Sequence, residues 1–207
     1  MPQVNIGVLI SGGGTNLQAI IDNIQNDNIK GEIKLIISNK KEAYGLTRGE
    51  LAGIETLFIN RKNFQSEDEY NFQLIKEFKN RKIELIVLAG YLKVLSPEFI
   101  KEFRGKVINI HPSLIPSFCG NGYYGERVHQ AVLDSGVKIT GATVHFVDEG
   151  TDTGPIILQS TVEVENEESL DSLKEKVLKL EHKLLIQAIK LYCEGKIKMD
   201  GRLVITN

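Results

Sequence analysis

What this sequence lacks narrows it quickly. It carries two cysteines in 207 residues, Cys119 and Cys193. They form no metal-spaced pair, and two thiols do not make the disulfide framework of a secreted domain, so reduced thiols in a cytoplasmic protein are expected. No apolar run approaches the ~20 residues that span a bilayer. No basic stretch leads into a long apolar core at the N-terminus, so no secretory signal is read there. Charge of one sign is missing too: 25 Lys and Arg stand against 27 Asp and Glu, a net −2. That balance disfavours a broad basic surface and general nucleic-acid binding. Internal repeats, low-complexity segments and linkers to a second domain are also absent. What is present, 42% hydrophobic and 25% charged residues, is ordinary for a soluble globular chain. The length fits one α/β domain of roughly 150–200 residues with a terminal extension.

Apolar runs alternate with helical periodicity through the first half. Val4 to Ile10, Ile33 to Ser38, Thr56 to Ile59, Ile83 to Ala89 and Lys106 to His111 read as strands. Between them, Leu17, Ile20, Ile21 and Ile24 share one helical face, 43–53 forms a short helix, and Asp68 to Lys82 forms another with Phe72, Ile75 and Phe78 in register. Ser96 and Pro97 mark a helix start as N-cap and first residue. The expected fold is α/β, a Rossmann-like, mostly parallel sheet with helices on both faces. In the second half, Glu126 to Ser135 reads as helix, and Val137 to Val147 with Pro155 to Glu165 as an antiparallel hairpin. A long closing helix begins at Ser169 and buries Leu173, Val177, Leu180 and Leu184. The chain divides into 1–105, 106–195 and a tail, 196–207, with a short strand at Leu203-Val204-Ile205.

The first strand ends in Ser11-Gly12-Gly13-Gly14-Thr15-Asn16 and then a helix. Strand, glycine turn and helix start together make an anion site. A dinucleotide fingerprint fails, because Leu17 stands at the third glycine and no acidic residue ends the second strand. A P-loop fails for want of Lys. A monophosphate site survives, beside the plainer alternative of a tight turn.

Asn109-Ile110-His111-Pro112-Ser113-Leu114-Ile115-Pro116 carries the second signal. Residues two apart on a strand share a face, so Asn109 and His111 aim at one place. The prolines stiffen the chain beyond. An amide and an imidazole side by side suit carbonyl chemistry, one holding an oxygen anion and the other supplying charge and a proton. A hydrogen-bonded structural histidine fits the octapeptide equally well. The glycine loop, Gly90-Tyr91-Leu92-Lys93 and this ledge all lie at strand carboxyl ends, where ligands bind in such sheets. The 117–125 segment (SFCGNGYYG) is either a lid or a long surface loop. The 148–154 loop carries three carboxylates. Acidic turns are usually solvated, but one turned towards His111 would raise the imidazole pKa and keep it protonated.

These residues resemble the folate-dependent formyltransferases, and among them the glycinamide ribonucleotide formyltransferases of purine synthesis. The resemblance runs from Val8 to about Lys198. It rests on Leu9-Ile10-Ser11-Gly12, Thr15-Asn16-Leu17-Gln18-Ala19-Ile20, Ser38-Asn39-Lys40, Leu88-Ala89-Gly90-Tyr91-Leu92, Asn109 to Leu114, and His145-Phe146-Val147 through Asp152-Thr153-Gly154-Pro155. It implies transfer of a formyl group from 10-formyltetrahydrofolate to the glycinamide amine, without a metal. His111, Asn109 and Asp152 would be catalytic. Gly14, Thr15, Asn16 and Glu181 would bind the ribonucleotide. Leu92, Lys93, Val94, Leu95 and Asn109, with Asp148, Glu149, Gly150 and Thr151, would bind the folate. The implied protein works on small molecules, without nucleic acid or membrane, as a monomer or weak homodimer. Two positions depart from the pattern: Glu67 where some members are basic, and Cys119 where many have proline. Competing readings are a hydrolase of the same family and a tRNA formyltransferase, each expected to carry a further domain. A non-catalytic phosphate-binding module would leave the Asn109/His111 spacing to coincidence.

Overall fold

The computed structural model describes residues 3–206; Met1, Pro2 and Asn207, which fall in the first and last segments read above, lie outside the described residues. The elements run β1 (Val4–Ile10), α1 (Thr15–Gln25), β2 (Gly31–Ser38), α2 (Tyr44–Leu51), β3 (Thr56–Phe58), α3 (Glu67–Asn80), β4 (Leu85–Leu88), α4 (Pro97–Glu102), β5 (Val107–His111), α5 (Glu126–Ser135), β6 (Ile139–Phe146), β7 (Ile156–Glu163), α6 (Leu170–Cys193), β8 (Ile197–Asp200) and β9 (Leu203–Thr206). The strands are hydrogen-bonded in the order β3-β2-β1-β4-β5-β6-β7, with β8 and β9 a separate pair. The described residues pack as two compact units that divide between Asn109 and Ile110.

The first unit is a parallel sheet. β1 to β3 step one way and β4 and β5 the other. Right-handed crossovers therefore put α1 and α2 on one face and α3 and α4 on the other. All four residues of β4, Leu-Ile-Val-Leu, are buried, as a strand covered on both faces requires. The order reverses between β1 and β4, the switch point where ligands bind in such sheets. Register fixes what lies there. Leu9 pairs with Leu88 and Leu88 with Asn109, so Ser11–Gly14, the 90–93 turn and Asn109 emerge at one edge.

Three serines cap helices as their spacing dictates. Ser66, Ser96 and Ser169 accept from the backbone N–H three residues on, each worth about 1 kcal/mol. One expected face of α3 is corrected. Phe72 is 71% exposed, while Tyr70, Leu74, Ile75 and Phe78 are buried. The stripe through Phe78 runs back by three to Ile75 and by fours to Leu74 and Tyr70, and Phe72 points away from it.

In the second unit β6 and β7 form the antiparallel hairpin, from Ile139 opposite Glu163 to His145 opposite Ile156, with a register shift at Val144/His145. α6 packs on both strands and against α5. Its buried stripe holds Leu173, Val177, Leu184 and Leu185 but not Leu180, which is half-buried; the charged Glu181 takes that place. Leu203–Thr206 is paired with Ile197–Asp200 in a second hairpin that contacts β7.

Candidate active site

Gly14 adopts φ 72° as N-cap of α1, so the cap has no side chain to offer and the first helical N–H groups stay directed outward. A Cβ at Gly14 would come within 2.8 Å of Gly45 Cα, so glycine is required for conformation and space alike. Thr15 is exposed and Asn16 buried. From α2, Gly45 N–H donates to Gly12 O at 3.1 Å and Arg48 Nε donates to Gly13 O at 2.8 Å. Arg48 also donates to Gln18 Oε1 and lies over the Tyr44 ring. Ser11 Oγ donates to Asn39 Oδ1 and accepts from Leu92 N–H, tying together the ends of β1, β2 and β4.

The 90–96 turn is pinned from α3. The Tyr70 and Tyr91 hydroxyls meet at 2.7 Å, and Ser96 N–H donates to Asn71 Oδ1 at 3.0 Å. Between these anchors Leu92 is 50% and Val94 66% exposed, and Lys93 is exposed. Leu95 is buried, so its side chain belongs to the core and not to an open wall. Glu67 opens α3 and pairs with Arg61 at 2.7 Å.

In the second unit His111 is buried at the end of β5. Its Nε2 lies 2.9 Å from Phe118 O and its Nδ1 3.5 Å from Asp152 Oδ2. Both nitrogens therefore face acceptors, an arrangement only imidazolium fully satisfies. Burial opposes that charge and pulls the His111 pKa below its ordinary value, against the pull of Asp152 and the Phe118 carbonyl; His145 adds to the decrease. The expectation that Asp152 holds His111 protonated is thus corrected: at this ring desolvation outweighs a carboxylate 3.5 Å away.

Of the loop's three carboxylates, Asp152 turns inward. It sits at φ 57°, a conformation in which Asp and Asn are among the few tolerated side chains. Gly120 N–H donates to its Oδ2 at 2.9 Å, and His145 Nε2 stands 3.7 Å from its Oδ1. Burial pushes the Asp152 pKa up, but His145, His111 and Gly120 together bring it below the usual carboxylate value. Asp148 is spent on its own loop, accepting from Gly150 N–H and the Thr153 hydroxyl. Glu149 and Gly150 are exposed and Thr151 half-buried. Gly154 packs so tightly that a Cβ would lie 1.8 Å from Phe146 O. Glu181 is buried on α6. His129 on α5 is buried with Nδ1 unpartnered among the described residues; burial first, then Lys174, lower its pKa to about 4.

Sequence reasoning missed several of these groups. His145 was legible within its motif but not as a neighbour of Asp152. The backbone of Phe118 and Gly120, and the bracing side chains Arg48, Tyr70 and Asn71, left no spacing signal. Among the described residues no group of three His, Cys, Asp or Glu is arranged to hold a metal. Nor is any helix long and apolar enough to cross a membrane.

Residues 4–189 match the family described as formyl transferase. The chain belongs to that family. Phosphoribosylglycinamide formyltransferase of Escherichia coli (strain K12) is 40% identical over 196 residues, which covers 95% of this chain and 90% of that one. The trifunctional purine biosynthetic protein adenosine-3 of Homo sapiens is 39% identical over 197 residues. There the match covers 95% of this chain but only 19% of the relative, so this chain spans a small part of such proteins. Glycinamide ribonucleotide transformylase 1 from Symbiobacterium toebii superposes with a TM-score of 0.94 at 38% identity, over 99% of this chain and 94% of that one. The mostly parallel sheet, antiparallel hairpin and long closing helix are the fold of this formyl transferase family.

Proposed function

We propose that this chain transfers the formyl group of 10-formyltetrahydrofolate to the amine of glycinamide ribonucleotide, giving formylglycinamide ribonucleotide and tetrahydrofolate, with all its residues serving one catalytic domain. The observation that carries the reading is the set of acceptors around His111, on the strand that also bears Asn109. Named relatives with the same activity support it.

The amine lone pair attacks the formyl carbon and the C–O π pair moves to oxygen. The Asn109 amide and the protonated His111 ring hold that oxyanion. Because burial disfavours the charged ring, His111 becomes protonated only as negative charge develops on the oxygen, by taking the proton that the attacking glycinamide nitrogen sheds. It returns to neutral as that proton passes to the folate nitrogen. The C–N bond to the folate then breaks. Its electron pair stays on the folate nitrogen, which takes a proton as the glycinamide nitrogen loses one. Asp152 steadies the imidazolium during that exchange. The Nε2–H engaged by Phe118 O is the donor that turns to the formyl oxygen, so the 117–125 segment yields this contact during turnover.

By resemblance and local geometry, Gly14, Thr15 and Asn16 take the phosphate and Glu181 the ribose. Leu92, Lys93, Val94, the backbone at Leu95, and 148–151 meet the folate. We place the chain in the cytoplasm, a reading the two free thiols support, as a monomer or weak homodimer.

The test is folate absorbance with 10-formyltetrahydrofolate, with and without glycinamide ribonucleotide. Turnover that requires the ribonucleotide is the expected result. Turnover without it means a hydrolase, and none from folded protein returns the chain to a binding module.

A further inference from the structure

We propose that Arg48 is a positioning residue for anion recognition, locking the Gly13–Gly14 peptide so that the glycine loop presents its N–H groups to a phosphate. This rests on the ribonucleotide reading above. Three successive carbonyls of the loop are held. Gly12 O accepts from Gly45 N–H, Gly13 O from Arg48 Nε, and Gly14 O from Gln18 N–H, the first bond of α1. In a trans peptide the C=O of one residue and the N–H of the next point opposite ways. Each held carbonyl therefore aims the following N–H, of Gly13, Gly14 and Thr15, away from its holder. Successive N–H groups so directed at a helix start make an anion nest.

The three anchors are unequal. Those on Gly12 and Gly14 come from backbone. The one on Gly13 comes from a single side chain, and it acts on a peptide between two glycines, the kind with least resistance to a flip. If that peptide turns over, the Gly14 N–H turns with it and the nest loses a donor. Arg48 is itself held in place. Its Nη1 donates to Gln18 Oε1 at 2.9 Å and its guanidinium carbon lies 4.9 Å from the Tyr44 ring centroid. These contacts align Nε with Gly13 O at 2.8 Å. Lysine keeps the charge but has no planar fork to divide between two acceptors.

The experiment measures the ribonucleotide KM, the formyl-donor KM, kcat, and competitive inhibition by inorganic phosphate for the unaltered chain, Arg48→Lys and Arg48→Met. Both variants are expected to raise the ribonucleotide KM and weaken phosphate inhibition about tenfold, with the formyl-donor KM within twofold. Arg48→Lys behaving like the unaltered chain while Arg48→Met does not would mean that charge alone acts, and would overturn positioning. Two silent variants would show that the loop holds itself and overturn it also. If inorganic phosphate does not compete with the ribonucleotide in the unaltered chain, the phosphate reading fails first and takes this proposal with it. Should the Arg48 variants fail to fold, Gln18→Leu releases one guanidinium arm and is expected to raise the ribonucleotide KM two- to threefold; no change would sink the proposal.

Discussion

The glycine loop after β1 and the imidazole–carboxylate cluster at the end of β5 are built from opposite materials. The loop is backbone held by backbone and one guanidinium, with none of its own residues titratable. The cluster is three titratable side chains, His111, Asp152 and His145, clamped by the Phe118 carbonyl and Gly120 N–H. A site made of peptide groups keeps its charge pattern at any pH. A site made of buried titratable groups does not.

His111→Ala is expected to lower kcat about a thousandfold with the fold intact, since general acid–base groups contribute roughly 10²–10⁴; near-normal turnover of folded variant would remove the cluster from the chemistry. Asp152→Asn keeps a side chain tolerant of φ 57° and is expected to cost about 10- to 100-fold in kcat, an order-of-magnitude figure for a group acting through its neighbour. It also removes the carboxylate that pulls the His111 pKa up, so the His111 NMR titration moves to lower pH. An unmoved titration would break the coupling. Thr15→Ala, in the backbone-built loop, is expected to raise the ribonucleotide KM only about tenfold, the value of one hydrogen bond to a charged group. A loss as large as that of His111→Ala would dissolve the contrast. The smallest effect concerns stability. The His129 pKa is about 4 when folded and 6.5 when unfolded. Between those values the unfolded chain binds the proton, so stability is full above pH 6.5 and falls towards pH 4, by roughly 2–3 kcal/mol. His129→Leu should flatten that slope in thermal melts from pH 7.5 to 4.5, and an unchanged slope would assign the acid loss elsewhere.

Much of this was legible because it is periodic or punctuated. Alternating apolar runs announced the strands, Ser96-Pro97 announced α4, and the single residue between Asn109 and His111 put them on one face of a strand end. Phe72 misled because its spacing to Ile75 and Phe78 mimics a helical face that lies one step away. The braces were silent for a different reason. Arg48, Tyr70 and Asn71 act across sequence distances of 35, 21 and 25 residues, and Phe118 and Gly120 act through main-chain atoms that every residue type shares. The depressed His111 pKa was illegible because a sequence displays the neighbouring carboxylate but not the depth of burial that overrules it.

The Arg202 guanidinium, in the turn between β8 and β9, donates to Thr153 O at 2.8 Å. Synthesis runs from the N-terminus, so the loop bearing Asp152 leaves the ribosome long before the group that ties it down. A nascent chain stalled within α6 already holds Asn109, His111 and Asp152 yet lacks that tether. Tethering of the loop that bears Asp152 therefore waits until Arg202 has been made.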